Sequence, residues 1–224
     1  AQQLSRDVLQ RVDVCISPLI RIVPVPGDIR FNDAEGVIFS SSNGVRVASD
    51  KSGRRDLPAY CVGRATTGAA SDLGWDARCI GTDAASLIAG LSDVKGPLLH
   101  LRGVHARGDI AEKLSQQGCP TSQQVIYDQV AQPLSDEAKG RLESPAPVIV
   151  PLFSPRTAAV FAKAIGENTP VCIAALSEAV AEPVIALKPH HLLIAPSPDA
   201  RSMCAIVEKL VNLVCRVESD KAPQ

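Results

Sequence analysis

Two stretches of this 224-residue chain run from an apolar strand straight into hydroxyl groups and then into a helix-like pattern: GVIFSSSNGVRVA, residues 36–48, and VIVPLFSPRTAAVFA, residues 148–162. In a strand-to-helix turn the first amides of the helix have no backbone partner, and the positive end of the helix dipole lies beside them. Such a turn favours an anion. Ser41, Ser42 and Asn43 in the first stretch and Ser154 in the second are therefore candidate ligands of carboxylate groups. The same argument covers GRATT, residues 63–67, with Thr66, and SEA, which is Ser177, Glu178 and Ala179, together with SPDA, residues 197–200. Arg102 follows a strand in HLRG and Arg156 sits in the first turn after FSP, where a guanidinium would hold a carboxylate in two-pronged geometry. Arg46, Arg54 and Arg141 read as solvated surface groups. Taken singly, each serine is accounted for by helix capping, worth about 1 kcal/mol, and Thr66 by a bond back to its own helix.

The elements that must position these residues follow from periodicity. Strand-like runs VIF, YCVG, RCI, LLHL, VIY, VIVPLF, VCIAAL and LLIAP alternate with helical patterns, which signals parallel sheets covered on both faces. Asp83, Ser177 and Asp199 mark helix starts. The alignment that puts Ser41 on Ser154 also brings Gly63 onto Ser177 and Asp83 onto Asp199 with a drift of only a few residues. One fold used twice is expected. The first copy has two further units, PLLHLRG with GDIAEKLSQQG, and TSQQVIYDQV. For the second copy, the N-terminal AQQLSRDVLQRV and DVCISPLIRI supply a helix and a strand, and the count remains one strand short. With no initiator Met, a short N-terminal strand is expected to be missing from this chain.

The expected architecture is α/β: two similar doubly wound, flavodoxin-like parallel-sheet domains, residues 1–20 with 130–224 and residues 22–128. LIRIVPV and IYDQVAQP, the two crossings between them, read as a two-stranded antiparallel β-ladder. Ligands of open α/β sheets bind beyond the carboxyl ends of the strands, so the SSSNG and SPRT turns are expected to face each other across a cleft.

Hydrophobic residues make up 46% and charged residues 21%, as in an ordinary globular protein, and the net charge of −1 gives no electrostatic support for nucleic acid or an anionic membrane surface. Seven cysteines without a C-x-x-C pair suggest neither a disulfide framework nor zinc, and most read as small buried residues. Adjacent His190 and His191 would point to opposite sides of a strand, which disfavours a shared metal. VGRATTG lacks the lysine of a phosphate loop and no G-x-G-x-x-G follows a strand, so no nucleotide cofactor is indicated. The chain reads as soluble, cytoplasmic and monomeric.

VIFSSSNGVRVA, YCVGRATTGAA, LLHLRG, VIYDQV, LFSPRTAAVF, ALSEAVA and PSPDARSM, in this order and spacing, resemble the uroporphyrinogen-III synthase family over nearly the whole chain. The resemblance implies two domains joined by a β-ladder and cyclisation of the linear tetrapyrrole hydroxymethylbilane, with loss of water and inversion of ring D. No cofactor and no metal are expected. Eight substrate carboxylates would meet the turns named above, which tips Ser41 and Ser154 from caps alone to substrate ligands. Tyr127 matches a family tyrosine facing the cleft and would protonate the departing hydroxyl, leaving an electrophilic azafulvene. Attack by the substituted carbon of ring D would give a spiro intermediate whose cleavage and reclosure reverses that ring. Without the resemblance Tyr127 reads as a strand residue filling the hinge. The family's early TRP-like strand end is missing, and Ser177 and Val180 stand where many members have Gly and Thr. A noncatalytic two-lobed small-ligand-binding protein is the alternative from another class. A nucleotide- or sugar-transferring enzyme is weaker, for want of a phosphate loop.

Overall fold

The structure is a computed structural model that describes residues 6–106, 108–166 and 169–221. The chain divides into two compact units, one of Ala1–Ile20 with Ala131–Gln224 and one of Arg21–Val130.

In the second of these, strands β1 (Ile20–Pro24), β2 (Gly36–Phe39), β3 (Pro58–Val62), β4 (Asp76–Gly81), β5 (Leu98–Gly103) and β6 (Thr121–Ala131) form one sheet in the order β1-β6-β5-β2-β3-β4. The pairs β2·β3, β2·β5, β3·β4 and β5·β6 are all parallel. Beside β6, the Val25 N–H donates to the Ile126 carbonyl and the Gln132 N–H to that of Leu19. Successive side chains of a strand leave opposite faces, so the apolar runs feed two cores. Val37, Phe39, Leu99 and Leu101 pack with Val45, Ala48, Ala70 and Trp75 on one face. On the other, Ile38 and Leu98 pack with Leu87, Leu91, Ile110 and Leu114. Helices α2 (Ser42–Lys51) and α3 (Arg64–Asp72) cover the first face, and α4 (Ala84–Gly90) and α5 (Ile110–Gln116) the second. Trp75 meets Phe39 edge to face at 5.2 Å and donates to the Ser49 hydroxyl at 3.0 Å. The chain moves outward from β2 to β3 and β4 on one side, then returns to β5 on the other. The order therefore reverses between β2 and β5, and a crevice is expected beyond the carboxyl ends of those two strands.

The other unit has α1 (Arg6–Arg11), α6 (Asp136–Glu143) and a parallel sheet β7-β8-β9 (Val148–Leu152, Val171–Ala175, His191–Ile194). Helix α7 (Pro155–Ala164), the short α8 (Glu178–Ala181) and a 3-10 turn over Glu182–Leu187 bury Ala158, Phe161, Val180 and Val184 against Val171, Ile173 and Ala175. On the opposite face α9 (Ala200–Lys221) packs Met203, Ile206, Val207 and Leu210 on Cys172 and Ala174.

Three expectations are corrected. DVCISPLIRI does not form a strand of this unit: residues 13–19 lie outside any strand, Val14 and Ile16 are exposed, and only from Ile20 does the chain join the six-stranded sheet. In the six-stranded sheet β6 lies between β5 and β1, and among the described residues this unit has no strand corresponding to β5, the one that the sequence count left short. EAVAEPV is one turn of α-helix followed by 3-10, because Pro183 has no N–H to give and its ring crowds the carbonyl four residues back. Of the seven cysteines, all free thiols, only Cys61, Cys119 and Cys172 are buried and Cys79 is exposed.

Candidate active site

A pocket of about 280 Å³ opens at the reversal point, lined by Ser40, Ser41, Val62, Ala84, Gly103, His105, Ala106, Ile110, Tyr127 and Gln129. Ser40 and Ser41 close β2. Gly103, His105 and Ala106 continue from β5, and Tyr127 and Gln129 come from β6. The parallel sheet thus delivers hydroxyls, an imidazole and a phenol from three adjacent strands to one edge.

Ser41 is extended (φ −159°, ψ 141°), as an N-cap residue must be, and its Oγ accepts from the Asn43 N–H at 3.2 Å. Capping occupies one acceptor site of the hydroxyl and leaves its proton available. Ser42 Oγ donates to the Ala65 carbonyl at 3.3 Å and ties the start of α2 to α3. In α3 the backward bond to the Gly63 carbonyl comes from Thr67, at 3.0 Å, while Thr66 is buried. Gly63 itself has φ 77°, a conformation that glycine adopts without strain.

Tyr127 is 5% exposed, and two glycines shape its seat. A β-carbon on Gly103 would fall 2.6 Å from the ring, and one on Gly44 3.6 Å from its Cε1. The register between β5 and β6 shifts between Arg102 and Gly103, so that Gly103 stands opposite Tyr127. The Val104 N–H then donates to the Tyr127 carbonyl at 3.0 Å.

Arg102 does not line the pocket. Its guanidinium donates to Gln123 Oε1 at 2.9 Å and to the carbonyls of Gly103, Val104 and Ala106 at 3.2, 3.3 and 3.2 Å. These bonds fasten the segment that carries His105. His105 Nε2 lies 3.4 Å from Asp128 Oδ1, both side chains being about two-fifths exposed. Ser40 was expected only as part of the SSSNG turn, His105 as a surface or strand-end histidine, and Gln129 was not singled out. The signal for His105 was its place just beyond LLHLRG, at the carboxyl edge of a strand adjoining the reversal point.

In the other unit Ser154 caps α7, its Oγ accepting from the Thr157 N–H at 3.1 Å and lying 2.8 Å from Thr157 Oγ1. Arg156 is half-buried in the first turn of α7. Ser177 is the N-cap residue of α8 without a side-chain cap bond, Glu178 and Ala179 are exposed, and Val180 is buried in the core. These residues stand at the carboxyl ends of β7 and β8. Asp199 accepts from the Ser202 N–H at 2.8 Å at the start of α9. Among the described residues no group of three or more His, Cys, Asp or Glu side chains is placed to hold a metal ion, and no helix is long and apolar enough to cross a membrane.

The fold is that of an α/β protein with mostly parallel sheets, whose strand-to-helix turns present hydroxyls at the carboxyl edge. A family model for uroporphyrinogen-III synthase HemD matches residues 9–205. The chain belongs to the uroporphyrinogen-III synthase family, cyclising lyases of tetrapyrrole biosynthesis. The crystal structure of uroporphyrinogen-III synthetase from Helicobacter pylori is similar at a TM-score of 0.68 and 16% identity, with 86% of this chain and 91% of that one covered. A mutant uroporphyrinogen III synthase from the extremely thermophilic bacterium Thermus thermophilus is similar at a TM-score of 0.55 and 11% identity, with 89% and 88% covered. A search of curated proteins finds no match.

Proposed function

We propose that this chain converts hydroxymethylbilane to uroporphyrinogen III, with Tyr127 as the proton donor and the capped turns as carboxylate ligands. The observation that carries the assignment of residues is the meeting of Tyr127 with Ser40, Ser41 and His105 in one pocket at the reversal point. At about 280 Å³ the pocket falls just below the roughly 300–1,000 Å³ typical of ligand pockets, which suits one substituted pyrrole with its two acidic arms. Tyr127 gives its phenolic proton to the hydroxyl of the terminal carbon, the carbon–oxygen bond breaks, and water departs. The electron pair released from ring A completes the azafulvene. The substituted carbon of ring D attacks it, cleavage and reclosure of the spiro intermediate reverse ring D, and the proton lost from the free α-carbon of ring D on reclosure balances the one that Tyr127 gave. The free bilane closes without reversal, so the protein's main task is to dictate conformation.

Ser41, Ser42, Asn43 and Thr66 are taken as substrate ligands, and so are Ser154, Arg156, Ser177, Glu178 and Ala179 on the equivalent turns of the other unit. Arg102 acts on the same pocket by fixing residues 103–106, and its four hydrogen bonds support that role. We take the domains as residues 1–20 with 130–224 and residues 22–128, two similar doubly wound sheets joined by an antiparallel ladder of β1 and β6. The unit divisions at 20/21 and 130/131 support these limits. The bonds from Val25 to Ile126 and from Gln132 to Leu19 support the ladder. The enzyme works as a cytoplasmic monomer without a cofactor.

Isomer analysis tests the activity. Purified chain mixed with freshly generated hydroxymethylbilane should yield uroporphyrinogen III, and exclusive formation of the unflipped isomer I would refute the assignment and favour a noncatalytic binding protein.

A further inference from the structure

We propose that His100 is a positioning residue: from behind the pocket wall its Nε2–H fixes the Ser40 hydroxyl so that the Ser40 proton is donated into the pocket, to a carboxylate or hydroxyl oxygen of the tetrapyrrole. The identity of the acceptor rests on the function proposed above; the orientation of the hydroxyl does not.

His100 lies on β5 opposite Ile38 of β2, and Ser40 lies two residues beyond Ile38 on the same face. Ser40 Oγ is 3.0 Å from His100 Nε2, so the pair bridges the two strands that flank the reversal point. Ser40 is half-buried and lines the pocket, whereas His100 is 2% exposed and does not reach it. His100 Nδ1 is sealed from solvent with no hydrogen-bond partner, and the Ser40 hydroxyl makes no other hydrogen bond among the described residues.

These facts select one tautomer. Burial, reinforced by the nearby Arg102 charge, pushes the His100 pKa down to about 4, so the ring is neutral and carries a single N–H. A proton on Nδ1 would leave a buried donor with nothing to bind, and orphaned N–H groups are rarer in folded proteins than unfilled acceptors. The proton therefore resides on Nε2 and is donated to Ser40 Oγ. Ser40 has then filled a lone pair and cannot return its own proton to the imidazole. The remaining direction for that proton is the pocket. A serine free to rotate could spend its proton on the imidazole; one that accepts an imidazole N–H keeps that proton for the pocket, which suits an anionic guest.

Two measurements on the full chain decide the matter. Long-range proton–nitrogen correlation spectra of histidine-labelled protein should show His100, identified by the signal lost in His100→Gln, protonated at Nε2 and bare at Nδ1. The reverse tautomer would overturn the proposal whatever the enzyme does. In kinetics, Ser40→Ala and His100→Leu should each raise KM by about tenfold, equivalent to roughly one hydrogen bond. The double variant should be no worse than either single one, and His100→Gln, which keeps an N–H at the same reach, should restore most of the loss. Additive effects, or lost thermal stability with unchanged KM, would overturn it. If His100→Leu does not fold, the tautomer and the His100→Gln and Ser40→Ala kinetics still decide. Failure of the wild-type chain to make isomer III would instead strike the proposed function and leave the tautomer result standing.

Discussion

Gly103 stands opposite Tyr127 on the neighbouring strand, so close that a β-carbon at Gly103 would lie 2.6 Å from the phenol ring and 3.0 Å from its oxygen. The ring's Cε1 edge is turned towards Gly44, where an added β-carbon would lie 3.6 Å from it. Gly103→Ala should displace Tyr127 from the pocket, with overpacking costing about 1–3 kcal/mol. A fall in turnover of about tenfold or more is expected, each factor of ten being about 1.4 kcal/mol of activation energy. Steady-state kinetics beside Gly53→Ala, where an added β-carbon meets nothing within 4 Å, provides the comparison. Equal turnover in the two variants would show that the position of the ring is immaterial.

Tyr127→Phe removes the proton and leaves the ring in its seat. Turnover should fall by about 100-fold, the usual scale of a lost acid, while product affinity changes little. An unchanged rate would make Tyr127 a packing residue of the first core.

The strands were legible because a parallel strand buried on both faces is written as an unbroken apolar run, and β2, β3 and β8 are of that kind. The hydroxyl turns were legible for a related reason, since a strand followed at once by serine and then a helical pattern leaves few backbone solutions. Residues 13–19 misled the reading because a strand needs a neighbour as well as a composition, and that neighbour is not among the described residues. Pairing across the sheet was also hidden. Nothing in LLHLRG reveals that His100 reaches Ser40, that Gly103 makes room for Tyr127, or that Arg102 turns back on its own loop. Those relationships depend on the strand order, which brings together residues far apart in the chain.

Arg102 distinguishes a substrate ligand from a loop clamp. Its guanidinium spans four acceptors, and the single ammonium of a lysine cannot. Arg102→Lys should therefore lower stability by about 1–2 kcal/mol, discounted for partial exposure, and speed hydrogen exchange at Ala106, whose N–H bonds the Gly103 carbonyl. Unchanged exchange and melting temperature with a raised KM would return the side chain to direct contact with substrate.

Capping and ligand binding at Ser41 and Ser154 separate by charge. Ser→Ala at either site should cost about 1 kcal/mol of stability. Ser→Asp keeps the cap and places a negative charge where a carboxylate should arrive, so stability should hold while KM rises at least tenfold. Denaturant midpoints measured together with KM check both. An aspartate variant with unaltered KM would leave capping as the whole role of that serine.

Burial of His100 also makes the fold sensitive to acid in a definite window. Below the ordinary histidine value of 6.5 the unfolded chain takes up a proton that the folded imidazole, with its pKa lowered to about 4 by burial and by Arg102, refuses. The unfolded state binds more protons between those values, so stability rises with pH across that interval and is fully present above it. As pH falls from 6.5 towards 4, the histidine should remove about 3 kcal/mol. Carboxylates held low by hydrogen bonds, such as Asp83 with Ser86, also lose stabilisation in acid, so the wild-type curve alone does not isolate the imidazole. The comparison with His100→Leu does, because every other group is shared. Urea midpoints at pH 7 and pH 4.5 should differ more in the wild type than in the variant, and parallel changes in the two would mean that His100 takes its proton in the folded state as readily as in the unfolded chain.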